Sequence, residues 1–355
     1  MIQFSVVLLS LLISLMARAT EFKTIVVSEK GAAALESYST QVTTELDCKE
    51  NIRKVVCLVD PVQDEKIPVN RICLEGSANY AHFFEEIHDV FPSAMQKMFC
   101  SLKKIYIEKQ FFGTAYAGEL RNEQGEYLGA AMGIRKSVLD ESLNLHQWAS
   151  WKEQLSFGGI ADSYATTENL PFALTQNQRP DVNDFLYFVI AHEFGHFLDF
   201  ANGVNRRVNC PQPQPGQPWP ECEFAEGTWG LLSWATSEKV LPQYDFPLRA
   251  RLCFYKCPAD VVMSHENVLE VYSGLANSNF ISSYGATNPW DDFADSVGYF
   301  LSDINLKASY VLDTRQGQGA ESVRYDIIQK LHSPAFASKY QYLDTFMKRT
   351  DLAYP

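Results

Sequence analysis

Two histidines and a glutamate in the run His192-Glu193-Phe194-Gly195-His196 have the types and the spacing of a metal site. Residues four apart on a helix project from one face about one turn apart, so both imidazoles could bind one ion. Imidazole is a common zinc ligand, and bound zinc lowers the pKa of a water molecule toward neutrality. A carboxylate at position 193 could accept a proton from that water. The pattern therefore predicts a hydrolytic centre with one Zn²⁺ ion.

The residues around this motif predict a buried helix. The stretch 184–200 is apolar nearly all round, which is typical of a helix enclosed by the core. Asn183 or Asp181 can cap its start, and Gly203 can end it. Burying two histidines and a glutamate costs desolvation free energy, which metal binding would offset. A fold that binds metal without catalysing a reaction is the main alternative.

A third protein ligand is expected, because catalytic zinc sites take three protein ligands and leave one position open. The metzincin pattern would place a glycine at position 199 and the third histidine at position 202. Asp199 and Asn202 stand there instead, which excludes that subclass. The remaining ligand is then expected to be an acid on a second helix further along the chain.

The best candidate for that second helix begins at Asn288 and Pro289, a pair that favours a helix start. Asp291 and Asp295 lie one turn apart on it, so Asp291 could bind the ion while Asp295 hydrogen-bonds a ligand imidazole. Acids are also common in the first turn of any helix, where they complement the helix dipole. Spacing alone does not decide between the two interpretations.

The motif at 192–196 and the later segment Ser-Tyr-Gly-Ala-Thr-Asn-Pro-Trp-Asp-Asp-Phe-Ala-Asp at 283–295 resemble the C-terminal protease domain of anthrax lethal factor and its relatives. Pro-Pro endopeptidases have a similar spacing from the tyrosine to the acid. The resemblance implies a zincin-type metalloprotease. It also implies that Tyr284 stabilises the oxyanion, that Asp291 completes the zinc site and that Asp295 supports a ligand histidine.

The chain departs from this family in two ways. The family acid is glutamate, and Asp291 is one methylene shorter. The second helix must therefore lie closer to the metal, or Asp292 or another acid is the ligand. The segment between His196 and Tyr284 is also longer than in the family, and an insertion near the cleft would shape substrate access.

The N-terminal residues have the character of a signal peptide. Residues 4–16 are apolar apart from three serines, and Ala17-Arg18-Ala19 is a small-x-small cleavage pattern. The apolar stretch is shorter than the roughly 20 residues that span a bilayer. We therefore expect cleavage after Ala19, export, and no membrane span in the mature protein. An uncleaved anchor is the alternative.

Cysteine content agrees with export. The eight cysteines form two groups of four, and cysteines in exported proteins usually pair. We expect local pairing within each group, although the spacing does not give the connectivity. The chain has no N-x-S/T acceptor for N-glycosylation, which favours a bacterial periplasmic or secreted protein. The cysteines are Cys48, Cys57, Cys73, Cys100, Cys210, Cys222, Cys253 and Cys257.

Charge and composition restrict the partners. The 355 residues carry a formal net charge of −13 and no long basic run, so we do not expect a nucleic acid as partner. With 46% hydrophobic residues, the chain can bury a sizeable core. The expected partner is a peptide or protein substrate. The predicted strand at 114–120 could bind an extended peptide along its edge.

Together these patterns predict an α+β zincin-type fold. A small mixed sheet would pack on the active-site helix, and a mainly helical C-terminal lobe would supply Tyr284 and Asp291. The predicted organisation is a signal peptide at 1–19, a Cys-containing segment at 20–76 and a catalytic domain at 77–355 with a Cys- and Pro-rich insertion at about 203–258. The predicted function is that of an exported zinc metallopeptidase. A zinc-retaining but non-catalytic binding protein and a cell-wall peptide amidase are the alternatives.

Overall fold

The computed structural model describes residues 23–27, 45–60, 71–111, 113–124, 126–140, 152–158, 172–176, 183–211, 221–255, 257–258, 260–314 and 324–355. The predicted signal peptide, the alternative cap Asp181 and the Pro-rich loop at 212–220 lie outside these residues. The described chain is a mixed α+β protein with small sheets and several helices, as the sequence predicts.

A mixed sheet forms the N-terminal half of the described chain. Its strands are β1 (Lys23–Val27), β2 (Val56–Val59), β3 (Leu102–Glu108), β4 (Ala115–Asn122) and β5 (Tyr127–Arg135). Their order within the described residues is β1-β4-β5-β3-β2. β4 and β5 are antiparallel, and every other neighbouring pair is parallel. The strand predicted at 114–120 is therefore confirmed within a few residues, and residues 105–108 and 127–134, whose sequences also predict strands, lie in β3 and β5.

The β4–β5 turn is closed by its own side chain. The Asn122 Oδ1 atom accepts hydrogen bonds from the backbone N–H groups of Gln124 at 3.1 Å and Glu126 at 2.7 Å. Asparagine commonly closes turns in this way. The turn fixes the register in which Ala117 lies opposite Met132 and Thr114 lies just ahead of the first residue of β4.

Three helices pack beside this sheet: α1 (Glu45–Val55), α2 (Ala81–Val90) and α3 (Ser93–Ser101). The sequence at 77–102 also predicts a helix that breaks or kinks near Pro92, and the structure breaks it there, because proline lacks a backbone N–H. The mostly apolar run at 54–59 predicts a strand, but Lys54 and Val55 complete α1 and β2 begins only at Val56.

The C-terminal half combines helices with two short sheets. β6 (Phe172–Gln176), β9 (Tyr310–Thr314) and β10 (Arg324–Asp326) form one sheet, and β7 (Arg207–Val208) pairs with β8 (Glu223–Phe224). The long helix Asp184–Asn202 packs against both β4 and the helix Pro289–Leu301. The helices are α4 (Lys136–Leu139), α5 (Asp184–Asn202), α6 (Val268–Asn277), α7 (Pro289–Leu301), α8 (Ile327–Leu331) and α9 (Ala337–Met347).

One cluster of buried side chains joins these elements. It includes Ile52 from α1, Phe194 from α5, Phe293 from α7 and Phe346 from α9. The helices α5 and α7 therefore lie in the centre of the core rather than at its surface. Burial on all sides explains why α5 is apolar nearly all round.

Disulfide bonds join the described cysteines as the sequence predicts, within each group of four. Such bonds are typical of proteins that fold in oxidising compartments. Within the described ranges, no helix has both the length and the apolar character that a membrane crossing requires. The pairs are Cys48–Cys100, Cys57–Cys73, Cys210–Cys222 and Cys253–Cys257.

Candidate metal centre

The helix α5 places two histidines and a glutamate inside the core. Its start is capped by Asn183, whose side chain accepts a hydrogen bond from the Leu186 N–H at 2.9 Å. Its end is set by Gly203 at a φ of 61°, the left-handed conformation that glycine adopts readily. His192, Glu193 and His196 are all buried on this helix.

The helix α7 begins with a cap that also orients an acid. The Asn288 Oδ1 atom accepts hydrogen bonds from the Trp290 N–H at 3.0 Å and the Asp291 N–H at 2.9 Å. The Asn288 amide then donates to the Asp291 Oδ2 atom at 2.6 Å. This leaves the Asp291 Oδ1 atom directed at the histidines of α5.

A glycine allows α5 and α7 to approach closely. A Cβ atom added at Gly195 would lie 2.8 Å from the Ala294 Cα atom of α7, which is closer than real Cβ contacts allow. Just beyond the end of α5, Asn205 forms hydrogen bonds with residues of both helices. Its amide donates to the Asp199 Oδ2 atom at 2.6 Å and to the Pro289 carbonyl at 3.1 Å. The end of α5 is thereby tied to the start of α7.

Three ligand atoms meet where these helices cross. The Nε2 atoms of His192 and His196 are 3.2 Å apart. The Asp291 Oδ1 atom lies 3.3 Å from the His196 Nε2 atom and 3.7 Å from the His192 Nε2 atom. His192, His196 and Asp291 thus form a buried group that could bind a metal ion.

A second acid lies behind the first histidine. The Asp295 Oδ1 atom is 2.7 Å from the His192 Nδ1 atom, on the side of the ring away from Asp291. The Ser282 hydroxyl donates a hydrogen bond to the other oxygen of Asp295. Burial raises the pKa of Asp295, but the positive charge of Lys152 and the contact with His192 outweigh it and lower the pKa below its usual value.

The charges around the ligands favour a cation. Burial lowers the pKa of His196, yet the close contact with Asp291 and its negative charge raise the pKa above its usual value overall. The Asp291 Oδ1 atom is buried and has no hydrogen-bond partner among the described residues. Buried carboxylate oxygens are costly when unsatisfied, so this atom fits a metal ligand.

Asp292, the alternative ligand, faces away from the histidines. Its carboxylate binds the Lys339 Nζ atom at 2.7 and 2.6 Å and accepts hydrogen bonds from the indole N–H groups of Trp229 and Trp234, each at 3.2 Å. All four side chains are buried. The structure therefore brings Asp291, and not Asp292, to the histidine pair.

Tyr284 lies beside the same pair. Its ring centroid is 5.9 Å from that of His192, and only 6% of the residue is exposed. Tyr284 and Glu193 both line an open cleft that reaches His192. Of the residues singled out from the sequence, Glu193, Tyr284, His192 and Asp295 thus meet at this cleft.

Two further residues of the cleft have no signal in the sequence. Lys152 and Tyr255 line it from segments far apart in the chain. Tyr255 lies inside the short Cys253–Cys257 disulfide loop at a φ of 60°, and its hydroxyl pairs with the Thr114 hydroxyl at 3.0 Å. The Cys- and Pro-rich segment could have been expected to reach the cleft, but no pattern singles out these two positions.

Comparison with family models, with curated proteins and with solved structures finds no match to this chain. The interpretation of the site therefore depends on its own geometry.

Proposed function

We propose that the chain is an exported zinc metallopeptidase that hydrolyses peptide bonds. The observation that carries this proposal is the convergence of His192, His196 and Asp291, whose ligand atoms all lie within 4.8 Å of one another. Two histidines and a carboxylate are the donor set of several hydrolytic zinc centres. Such a set leaves a fourth position for a water molecule or a substrate.

The distances between the ligand atoms suit zinc. Tetrahedral ligands that are each about 2.0–2.1 Å from zinc lie about 3.3 Å from one another. The separations among His192, His196 and Asp291 are 3.2, 3.3 and 3.7 Å. Larger oxygen-seeking cations such as calcium take six to eight oxygen ligands, which this histidine-rich site does not offer.

The surrounding side chains have the chemistry that hydrolysis requires. When bound, zinc lowers the pKa of a water molecule and polarises a carbonyl group. Glu193 would accept the proton of the attacking water and pass it to the leaving amine. The Tyr284 phenol would donate a hydrogen bond to the charge that develops on the carbonyl oxygen. Asp295 would hold the His192 ring in the orientation that ligation needs.

The architecture supports a zincin-type fold for this chemistry. A mixed sheet packs on α5, and α7 supplies Asp291 from a second helix. The resemblance of the two motifs to the lethal factor protease domain leads to the same proposal. The four disulfides and the predicted signal peptide support export to a bacterial periplasm or to the exterior.

A non-catalytic binding protein and a cell-wall peptide amidase are the competing functions. The presence of both Glu193 and Tyr284 at the cleft favours turnover over simple zinc retention. An amidase would use the same residues on a different acyl group, so substrate preference separates it from a peptidase.

The first experiment is elemental analysis of purified protein, for wild type and three variants. We expect about one zinc per chain in wild type and in Glu193→Ala, and none in His196→Ala or Asp291→Ala. His82→Ala is the matched control, because His82 is exposed on α2 and contacts the Asn79 carbonyl. It should keep the wild-type zinc content.

The second measurement is hydrolysis of a quenched fluorescent peptide library and of cell-wall peptides. Wild type should cleave library peptides, and Glu193→Ala should lose at least about 99% of that activity, the size expected of a general base. Equal rates for wild type and Glu193→Ala would contradict the mechanism. Cleavage of cell-wall peptides alone would favour the amidase.

A further inference from the structure

The cleft contains a cation that the proposed hydrolysis does not use. Lys152 lines the cleft together with Thr114, Glu193, Tyr255 and Tyr284. Its side chain is 12% exposed. The Nζ atom lies 4.6 Å from the centroid of the Tyr284 ring, so the ammonium group stands against the residue proposed to stabilise the oxyanion.

The ammonium group lies near acidic side chains but is not hydrogen-bonded to them. The Glu153 Oε1 atom lies 3.7 Å from it, too far for a hydrogen bond. The other Glu153 oxygen is occupied, since it accepts hydrogen bonds from Tyr272 at 2.7 Å and from Ser283 at 2.5 Å. Among the described residues, no acceptor is within hydrogen-bond distance of the Nζ atom of Lys152.

Lys152 nevertheless carries its charge. Burial lowers its pKa, but the negative charges of Asp295 and Glu153 outweigh burial and raise the pKa above the usual value. An ammonium group has three hydrogen-bond donors, and leaving them unpaired in a buried position is costly. An anionic group in the cleft would supply the missing acceptors.

Two side chains that contact each other line the cleft together with this cation. The hydroxyl groups of Tyr255 and Thr114 are 3.0 Å apart, which joins the Cys253–Cys257 loop to the start of β4. The Tyr255 ring also packs edge-on to Tyr284, with 6.3 Å between the centroids. Tyr255 and Lys152 therefore both lie against the Tyr284 ring, and a carboxylate bound in this part of the cleft would lie beside the ammonium group.

We propose that the cleft selects peptides that carry a carboxylate close to the scissile bond, and that Lys152 binds this carboxylate. The proposal rests on the proposed function, because it takes the cleft as the peptide site. The carboxylate can be the C-terminal group of a short peptide or the side chain of Asp or Glu. Charge-assisted hydrogen bonds to an ammonium group are stronger than neutral ones and would provide the selectivity.

The test measures binding separately from turnover. Zinc-loaded Glu193→Ala protein is titrated by calorimetry with four probes: N-acetyl-tetraalanine as free acid, the same peptide as C-terminal amide, and two amidated peptides that differ only by Asp or Asn at the third position. We expect at least one carboxylate probe to bind about tenfold or more tightly than its amide counterpart. The acid and amide pair reports the C-terminal group, and the Asp and Asn pair reports the side chain.

The variant Lys152→Met, made in the same background, should abolish that preference. Lys152→Arg keeps the positive charge and should keep the carboxylate preference. It is the variant to titrate if Lys152→Met lowers the zinc content. Lys109→Met is the matched control, because Lys109 is an exposed lysine paired with Asp60 outside the cleft. A preference that survives Lys152→Met would belong to the metal and would overturn the proposal.

The outcomes separate a failure of the proposed role of Lys152 from a failure of the peptidase proposal. Equal affinities within both pairs, or no binding of any probe, overturn the role of Lys152. Hydrolysis of library peptides by wild type without a carboxylate preference keeps the peptidase proposal and rejects this one. A carboxylate preference that depends on Lys152, in a protein that hydrolyses no peptide, rejects the peptidase proposal and keeps this one.

Discussion

At the scale of single residues, neighbouring acids have separate partners because a helix turns about 100° per residue. Asp291 is held by Asn288 and faces the histidines, whereas Asp292 faces Lys339. The motif spacing predicts His192, Glu193 and His196 without a structure, because all three lie within a turn and a half of one helix. Which of Asp291 and Asp292 faces the histidines depends on Lys339, the partner of Asp292 from a distant part of the chain. A local sequence pattern does not contain that information.

The first prediction concerns Asp199, which is buried at the end of α5. Burial raises its pKa to about 6, although two hydrogen bonds from Asn205 lower it in part. The folded state therefore holds this proton more tightly than the unfolded state, whose value is near 3.8. Between about pH 4 and 6, the contribution of Asp199 to the free energy of unfolding falls as pH rises.

In the Asp199→Asn variant the side chain at position 199 does not titrate. The free energy of unfolding of this variant should therefore lack the pH-dependent contribution of Asp199. The free energy of unfolding of wild type minus that of the variant should therefore be larger at pH 4 than at pH 7.5, by on the order of 2 kcal/mol. Urea unfolding of both zinc-loaded proteins at the two pH values measures the difference. If wild type and variant differ in the free energy of unfolding by the same amount at pH 4 and pH 7.5, the pKa of Asp199 is not raised and the prediction is wrong.

At the scale of elements, α5 and α7 are the parts that the sequence predicts best. Each has a cap residue, a clear end and a strong pattern, so local signals specify them. The paired strands β9 and β10 and most of α1 escape prediction. The two strands are five and three residues long, and such short strands depend on packing against distant residues. The domain boundaries proposed from composition remain a prediction.

A second prediction concerns the crossing of these two helices at Gly195. Alanine is a better helix former than glycine by about 1 kcal/mol, so an exposed Gly→Ala change would stabilise a helix. Here the new methyl group would contact the Ala294 backbone at 2.8 Å and push α7 away. Gly195→Ala should lower the free energy of unfolding by about 1–3 kcal/mol.

The same variant should bind zinc at least about tenfold more weakly, because Asp291 moves with α7. Competition with a chelator of known affinity measures this effect. Phe200→Leu, a change on the exposed side of α5, is the control and should alter neither quantity appreciably. Wild-type zinc affinity in Gly195→Ala would mean that α7 tolerates the displacement.

At the scale of the whole molecule, a buried ion pair ties the helix α9 to α7, which carries one residue of the candidate metal centre. Lys339 on α9 binds Asp292 on α7, and Trp229 and Trp234 from the Cys-rich segment complete the contacts. The sequence cannot reveal this arrangement, because its members are spread over more than a hundred residues. Such a pair holds the lobe together only while both charges are present.

The third prediction follows from that dependence. Lys339→Met leaves the Asp292 carboxylate buried without its cation and should cost about 3–5 kcal/mol of unfolding free energy. Lys339→Met combined with Asp292→Asn should be less destabilised than the sum of the two single changes. Urea unfolding of the four proteins gives the coupling free energy. Folded Asp292→Asn should retain zinc, and simple additivity would contradict the paired role.

The adjacency of Asp291 and Asp292 also limits how this chain can diverge. One residue added or removed between Asn288 and Asp291 would rotate α7 by about 100° relative to its cap. Asp291 would then no longer face the histidines, and Lys339 would lose its contact with Asp292. Relatives that keep both contacts should therefore vary in length outside this segment, in the loops that precede Tyr284, and keep the spacing from Asn288 to Asp295 unchanged.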